Sequence, residues 1–131
     1  MKLYIDSDFF SNYEEFLLYM NSKLASSTDE SSIKNLDILS DVLRGGFGLY
    51  EENEKINIKW KNYHKSISDL GYEETTQYYL KILEKCHPSN KNEVKFLIQQ
   101  SMDHEGKTLF YLILEVFFDA KNVSNIEFFT I

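Results

Sequence analysis

The chain opens on KLYID, residues 2 to 6, where apolar and polar side chains alternate as on a strand with one buried face. Ser11 and Glu14 then give a capping-box signal ahead of Tyr13, Phe16, Leu17, Met20 and Leu24, which share one face at helical spacing. The polar run ASSTDESS, 25 to 32, reads as a loop, and NLDILSDVL, 35 to 43, as a second helix that stops at Gly45 and Gly46. Leu36, Ile38, Leu39, Val42 and Leu43 fall on one arc of that helix, and Asp37, Ser40, Asp41 and Arg44 on the other. INIKW, 56 to 60, is β-branched and bounded by polar residues, which predicts a second strand, with Lys55, Lys59 and Lys61 as solvated or edge lysines.

After Gly71 the pattern is helical again. EETTQYYLKILEKC places Tyr79, Ile82, Leu83 and Cys86 on one face and ends before Pro88. Asn90 with Glu93 signals a further helix start, ahead of Val94, Leu97, Ile98 and Met102. Gly106 separates this from TLFYLILEVFFDAK, whose length favours helix and whose apolar residues lie all round, so burial on most sides is expected. NIEFFTI, 125 to 131, reads as the last strand. Strands at the start, middle and end, joined by helices, predict an α/β fold in which helices pack on a small parallel sheet. Residues 1–131 read as one compact domain without repeats or an interdomain linker.

Charge changes the picture more than composition does. The net of −7 is confined to residues 1 to 54, which hold eleven acids and four bases, whereas residues 55 to 131 hold ten of each. Such a field repels nucleic acid and steers basic partners toward the first half of the chain, so a basic protein partner is expected and direct nucleic-acid binding is not. No signal sequence or membrane-length apolar run is apparent, and the single cysteine, Cys86, forms no internal disulfide. The expectation is a cytoplasmic protein.

Candidate chemistry is sparse. His64, His87 and His104 are scattered, and Cys86 with His87 offers two adjacent ligands where structural zinc needs four, so no metal or other cofactor is expected. The same pair lacks the elbow and oxyanion donors of a nucleophilic site, and Cys86 reads as a core residue. GGFG follows a helix and lacks the lysine and hydroxyl residue of a phosphate loop, which makes it a turn. Asp37 and Asp41, four residues apart, repel one another by a few tenths of a kcal/mol, and so do not look chosen for helix stability. They could in principle serve as an acid–base pair or hold Mg²⁺, but both lie on the predicted outer face with no third ligand nearby.

Three blocks resemble the barstar family, intracellular inhibitors of secreted ribonucleases. NLDILSDVL is similar to that family's second-helix signature, an Asn-Leu-Asp followed by another Asp four residues after the first. INIKWKNYHKS, 56 to 66, resembles its central strand, and VFFDAK, 116 to 121, the end of its last helix. The resemblance implies a three-stranded parallel sheet with packed helices, with extra helices at about 72–104. It also implies a 1:1 complex with a cognate basic nuclease toxin. In that complex Asp37 and Asp41 would be the inserted acids, Asn35 a supporting amide, Asp119 an acid at the rim, and Phe47 an aromatic following the helix. Ser40 and Arg44 share the polar arc with the two acids. Ser31, Ser32 and Ile33 replace the family's tyrosine and glycine before the Asn, and Ser40 its aromatic between the acids. These departures leave the identity of the target open.

The expected function is therefore a proteinaceous inhibitor, an immunity or antitoxin protein that blocks a ribonuclease active site and has no enzyme activity of its own. The alternatives are an acidic protein-binding adaptor without a nuclease target and a carboxylate-dependent enzyme.

Overall fold

The computed structural model describes residues 2–24, 32–44 and 55–130. Strands β1 (Lys2–Asp6), β2 (Ile56–Lys61) and β3 (Val123–Phe129) form a parallel sheet in the order β1-β2-β3, which is the small α/β architecture expected. Helices α1 (Tyr13–Leu24) and α2 (Leu36–Leu43) lie between the first two strands. Helices α3 (Tyr63–Asp69), α4 (Tyr72–Lys85), α5 (Lys91–Met102) and α6 (Leu109–Asp119) lie between β2 and β3. No helix among the described residues is long and apolar enough to cross a membrane.

The alternation in the strands sets the layering. Leu3, Ile5, Ile56, Ile58 and Trp60 all point to the helical side and are buried, while Lys2, Tyr4, Asn57, Asn125 and Glu127 are exposed on the other. Helices thus cover one face of the sheet. The open face is charged, with Lys59 3.9 Å from Glu127 and Lys61 3.8 Å from Asp6. Because β2 is the central strand, these lysines sit across from neighbouring strands rather than at an edge. The outer edge of β1 is occupied instead by a side chain of α1. The Asp6 amide donates to the Tyr19 hydroxyl at 2.9 Å, and that hydroxyl donates to the Tyr4 carbonyl at 3.2 Å.

Trp60 organises the core between sheet and helices. It is fully buried, stacked on Phe16 and edge-on to Phe110 and Phe117, and its indole N–H donates to Ser7 Oγ at 2.9 Å. Ser7 and Ser66 are themselves buried and hydrogen-bonded to each other, so the one polar atom of the indole is satisfied without water. Replacing Trp60 with Phe keeps most of the volume but removes this donor and leaves space, and is expected to lower stability by about 1 to 3 kcal/mol in urea denaturation.

Several local expectations shift. The cap of α1 is Asn12, whose Oδ1 accepts from the Glu15 amide at 2.8 Å, while Glu15 reaches back to the Ser11 amide; Ser11 and Glu14 are not the box. Asn90 precedes α5 but makes no side-chain cap. Helix α3 has no counterpart among the elements read from the sequence, and Asn62, in the left-handed region at φ 55°, turns the chain from β2 into it. Strand β3 starts two residues early, at Val123. Helix α6 is covered on most sides, as expected: Leu109, Phe110, Ile113 and Phe117 are buried and Leu112, Leu114 and Val116 pack against the core partly buried, while Tyr111 and Phe118, seven residues apart, leave one exposed stripe.

The two helices within residues 72–104 differ in how they attach. Helix α4 is tied to the rest: Thr75 Oγ1 accepts from the Leu109 amide at 2.6 Å, Glu74 accepts from the Tyr13 amide, and Tyr78 meets Tyr13 edge to face at 5.0 Å. Helix α5 packs chiefly on α4, where Thr76 Oγ1 lies 2.8 Å from Ser101 Oγ. Val94 is buried, but Met102, read as part of the apolar face, is exposed, as is Phe96. Cys86 caps α4 half-buried, with Sγ 3.7 Å from the Leu83 carbonyl, and is not a core residue.

Candidate partner-binding site

Helix α2 is short and held from behind. Leu36, Leu39, Val42 and Leu43 are buried, and α2 packs on α6. Its two ends are fixed by side chains. Asn35 Oδ1 accepts from the Ile38 amide at 2.8 Å, and the buried Asn122 donates to the Leu43 carbonyl at 3.1 Å. The Asn35 oxygen is therefore committed to the helix start, where the resemblance had implied a supporting amide. Asn35→Ala is expected to cost about 0.5 to 2 kcal/mol in thermal or urea denaturation, the usual loss of an N-cap.

With the apolar arc anchored, the polar arc is fixed in orientation. Asp37, Asp41 and Arg44 are exposed and Ser40 is half-buried, as the periodicity predicts. Among the described residues neither aspartate is ion-paired. Their positions on the helix are not equivalent. Asp37 lies in the first turn, where its charge complements the helix dipole and repays part of the repulsion from Asp41. Asp41 lies near the other end, where the dipole disfavours it. It is the acid that local structure does not use.

The remaining candidates are spread. Asp119 is exposed at the last residue of α6. Because Asn122 follows it and bonds to Leu43, that end of α6 approaches the C-terminal end of α2, on the Asp41 and Arg44 side. Phe47 lies outside the described residues, as do Gly45 and Gly46.

The sequence reading missed two tyrosines, Tyr13 of α1 and Tyr78 of α4. Together with Leu36, Asp37 and Ile82 they line a groove of about 690 Å³ between the start of α2 and the C-terminal half of α4. Burial is the main cause that holds both phenols above their ordinary pKa; each also has a neighbouring tyrosine and Asp37 acting in the same direction. The Leu36 backbone amide beside the Tyr13 hydroxyl acts the other way. No spacing rule finds such a pair, because the contact joins residues 13, 37 and 78. A larger polar hollow, about 770 Å³, lies elsewhere on α4, near Asp69, Tyr72, Glu73 and His104. His104 there is stacked flat on Tyr72 at 5.1 Å.

His87 Nδ1 accepts from the Ser89 amide at 3.1 Å, which directs its ring to its own turn. Among the described residues there is no group of three or more His, Cys, Asp or Glu placed to hold a metal ion.

No family model matches the chain, and no curated protein or solved structure matches it.

Proposed function

We propose that this protein is an inhibitor of a cytotoxic nuclease, an immunity or antitoxin protein whose acidic face on α2 occupies the enzyme's active site. The observation that carries the reading is the pair Asp37 and Asp41, both exposed and without an ion-pair partner among the described residues, on a helix whose opposite face and both ends are fixed. An enzyme that cleaves a phosphodiester must present cationic groups to phosphate, and rigid carboxylates are competitors for them. Fixing the helix in advance lowers the ordering cost of binding. The acidic first half of the chain supports the same partner through long-range attraction. The three sequence blocks that resemble the barstar family add to the reading, with Asp119 as a rim acid and Ser40 and Arg44 as neighbours in contact.

The test is an RNA-cleavage assay with a small basic nuclease encoded in a neighbouring reading frame. Stoichiometric protein should abolish cleavage and form a 1:1 complex in size-exclusion chromatography. Undiminished cleavage in the presence of excess protein would remove the reading. Calorimetric binding of a divalent metal by the isolated protein, lost in Asp37→Asn, would favour a carboxylate-dependent enzyme instead.

A further inference from the structure

The two edges of the sheet differ. At β1 the Tyr19 hydroxyl holds the backbone of Tyr4 and Asp6. At β3 the Phe129 carbonyl accepts from the Asn62 amide at 2.7 Å, so the backbone groups of Phe129 and, by alternation, Glu127 turn toward β2, while those of Ile126 and Phe128 turn outward. Among the described residues no hydrogen bond reaches these outward groups. The same edge carries an uncovered ring. Phe128 lies on the helical side of the sheet, 6.2 Å from Trp60 and 5.3 Å from Tyr63. Leu3, Ile5, Ile56, Ile58 and Trp60 on that side are at most 3% exposed, whereas Phe128 is 36% exposed.

We infer that this edge pairs with the same edge of a second copy, antiparallel about a twofold axis at Phe128, which joins the two sheets into one. The neighbouring axes are worse. An axis at Glu127 sets the two Glu127 carboxylates directly opposite each other, where like charges repel. An axis at Ile126 sets Phe128 against Ser124, the extra residue of the irregularity beside Ile56 and Asn57, where the regular ladder is lost. The axis at Phe128 has neither fault: the two uncovered rings become cross-strand neighbours, Ile126 faces Thr130, and Glu127 faces Phe129. Charge also fits a second copy. The acid excess lies in residues 1 to 54, whereas residues 55 to 131, which include β3, hold ten acids and ten bases, so two copies meet here without net repulsion. Because Tyr19 occupies the other edge, the assembly closes at two. So few paired residues bury less than a standard interface, which makes the dimer a weak one formed at high concentration. Phe128 lies about 20 Å along the strand from Asn122, which holds the C-terminal end of α2. The inference therefore goes beyond the inhibitor reading and does not rest on it.

The test uses the full chain alone. Sedimentation velocity between about 20 µM and about 2 mM should show a monomer passing to a dimer and to nothing larger. Residue-resolved amide hydrogen exchange over the same range locates the contact. The Ile126 and Phe128 amides, which point outward, should exchange about tenfold more slowly at the highest concentration, whereas the Glu127 and Phe129 amides, which point to β2, should be protected throughout. Phe128→Lys sets two cations opposite each other at the axis and should weaken the dimer by about tenfold or more. Phe118→Lys, at a phenylalanine of α6 that is 63% exposed, should leave it unchanged. Circular dichroism establishes that each variant is folded, and if Phe128→Lys is not, exchange in the wild type decides. A monomer at every concentration would overturn the inference, as would a dimer in which the Ile126 and Phe128 amides gain no protection, or one that survives in folded Phe128→Lys and is lost in Phe118→Lys. Cleavage assays with a nuclease decide the inhibitor reading separately.

Discussion

Asp41→Ala is expected to weaken the complex with the cognate nuclease by roughly 2 to 5 kcal/mol, a loss of about thirtyfold to several thousandfold in affinity. The loss is large because a partner cation that Asp41 would neutralise stays buried and unpaired once the carboxylate is gone. Stability of the free protein should hardly move, because Asp41 is exposed, unfavourable to the helix dipole and without an ion-pair partner among the described residues. Asp37→Ala should behave differently on this second count, since Asp37 sits in the first turn and its removal forfeits a favourable dipole interaction of about 0.3 to 1 kcal/mol. Association of the wild type should slow as salt rises, because steering by exposed acids is screened over about 8 Å at physiological ionic strength. Calorimetric or surface-binding titrations of both variants, beside their thermal melts, separate these contributions. Equal affinity of Asp41→Ala and wild type, at equal stability, would reduce the acidic arc to an ordinary solvated face.

Removing residues 72 to 104 and rejoining the chain is expected to lower stability by several kcal/mol, with a clear fall in the urea midpoint. Three contacts carry this expectation. The Leu109 amide loses Thr75 as its acceptor at the start of α6, the Tyr13 amide loses Glu74 at the start of α1, and the half-buried Tyr13 ring loses Tyr78. The first two leave helix-start donors without their partners, and the third opens apolar surface beside Leu36. Removing α5 alone should be milder, because it packs chiefly on α4 and leaves these three contacts in place. An unchanged midpoint after the full deletion would mean that the two helices form a separate unit.

How much of this was legible in the sequence depends on how local each signal is. KLYID and INIKW show their strands because alternation is a property of neighbours, and Lys2–Asp6 matches its sequence range. The polar arc of α2 was legible for the same reason, since Asp37 and Asp41 are placed by the helical repeat alone. Caps were legible only to within one residue: Ser11, Asn12, Glu14 and Glu15 all carry suitable side chains, and the choice of Asn12 with Glu15 depends on where β1 and its following turn deliver the chain. Helix α3 was hidden because a left-handed Asn62 is a backbone conformation that no periodicity records. For α4 and α5 the repeat marks apolar faces but does not say what covers them, which is why Met102 was misplaced. The groove was out of reach for a stronger reason: Tyr13, Asp37 and Tyr78 belong to three elements, and only the fold brings them together.

The hydroxyl of Tyr19 gives the sheet an asymmetry with consequences for association. By accepting from Asp6 and donating to Tyr4 it imitates the groups of a neighbouring strand along the free side of β1. An incoming strand must first dislodge a ring that is also stacked on Phe9 and packed against Phe10, and it forfeits about 1 kcal/mol for each hydrogen bond broken. Fibril-like growth and strand exchange are therefore disfavoured on the β1 side. Tyr19→Phe removes the plug while keeping the ring, so it should lower monomer stability by about 1 to 2 kcal/mol and make the protein faster to aggregate when warmed.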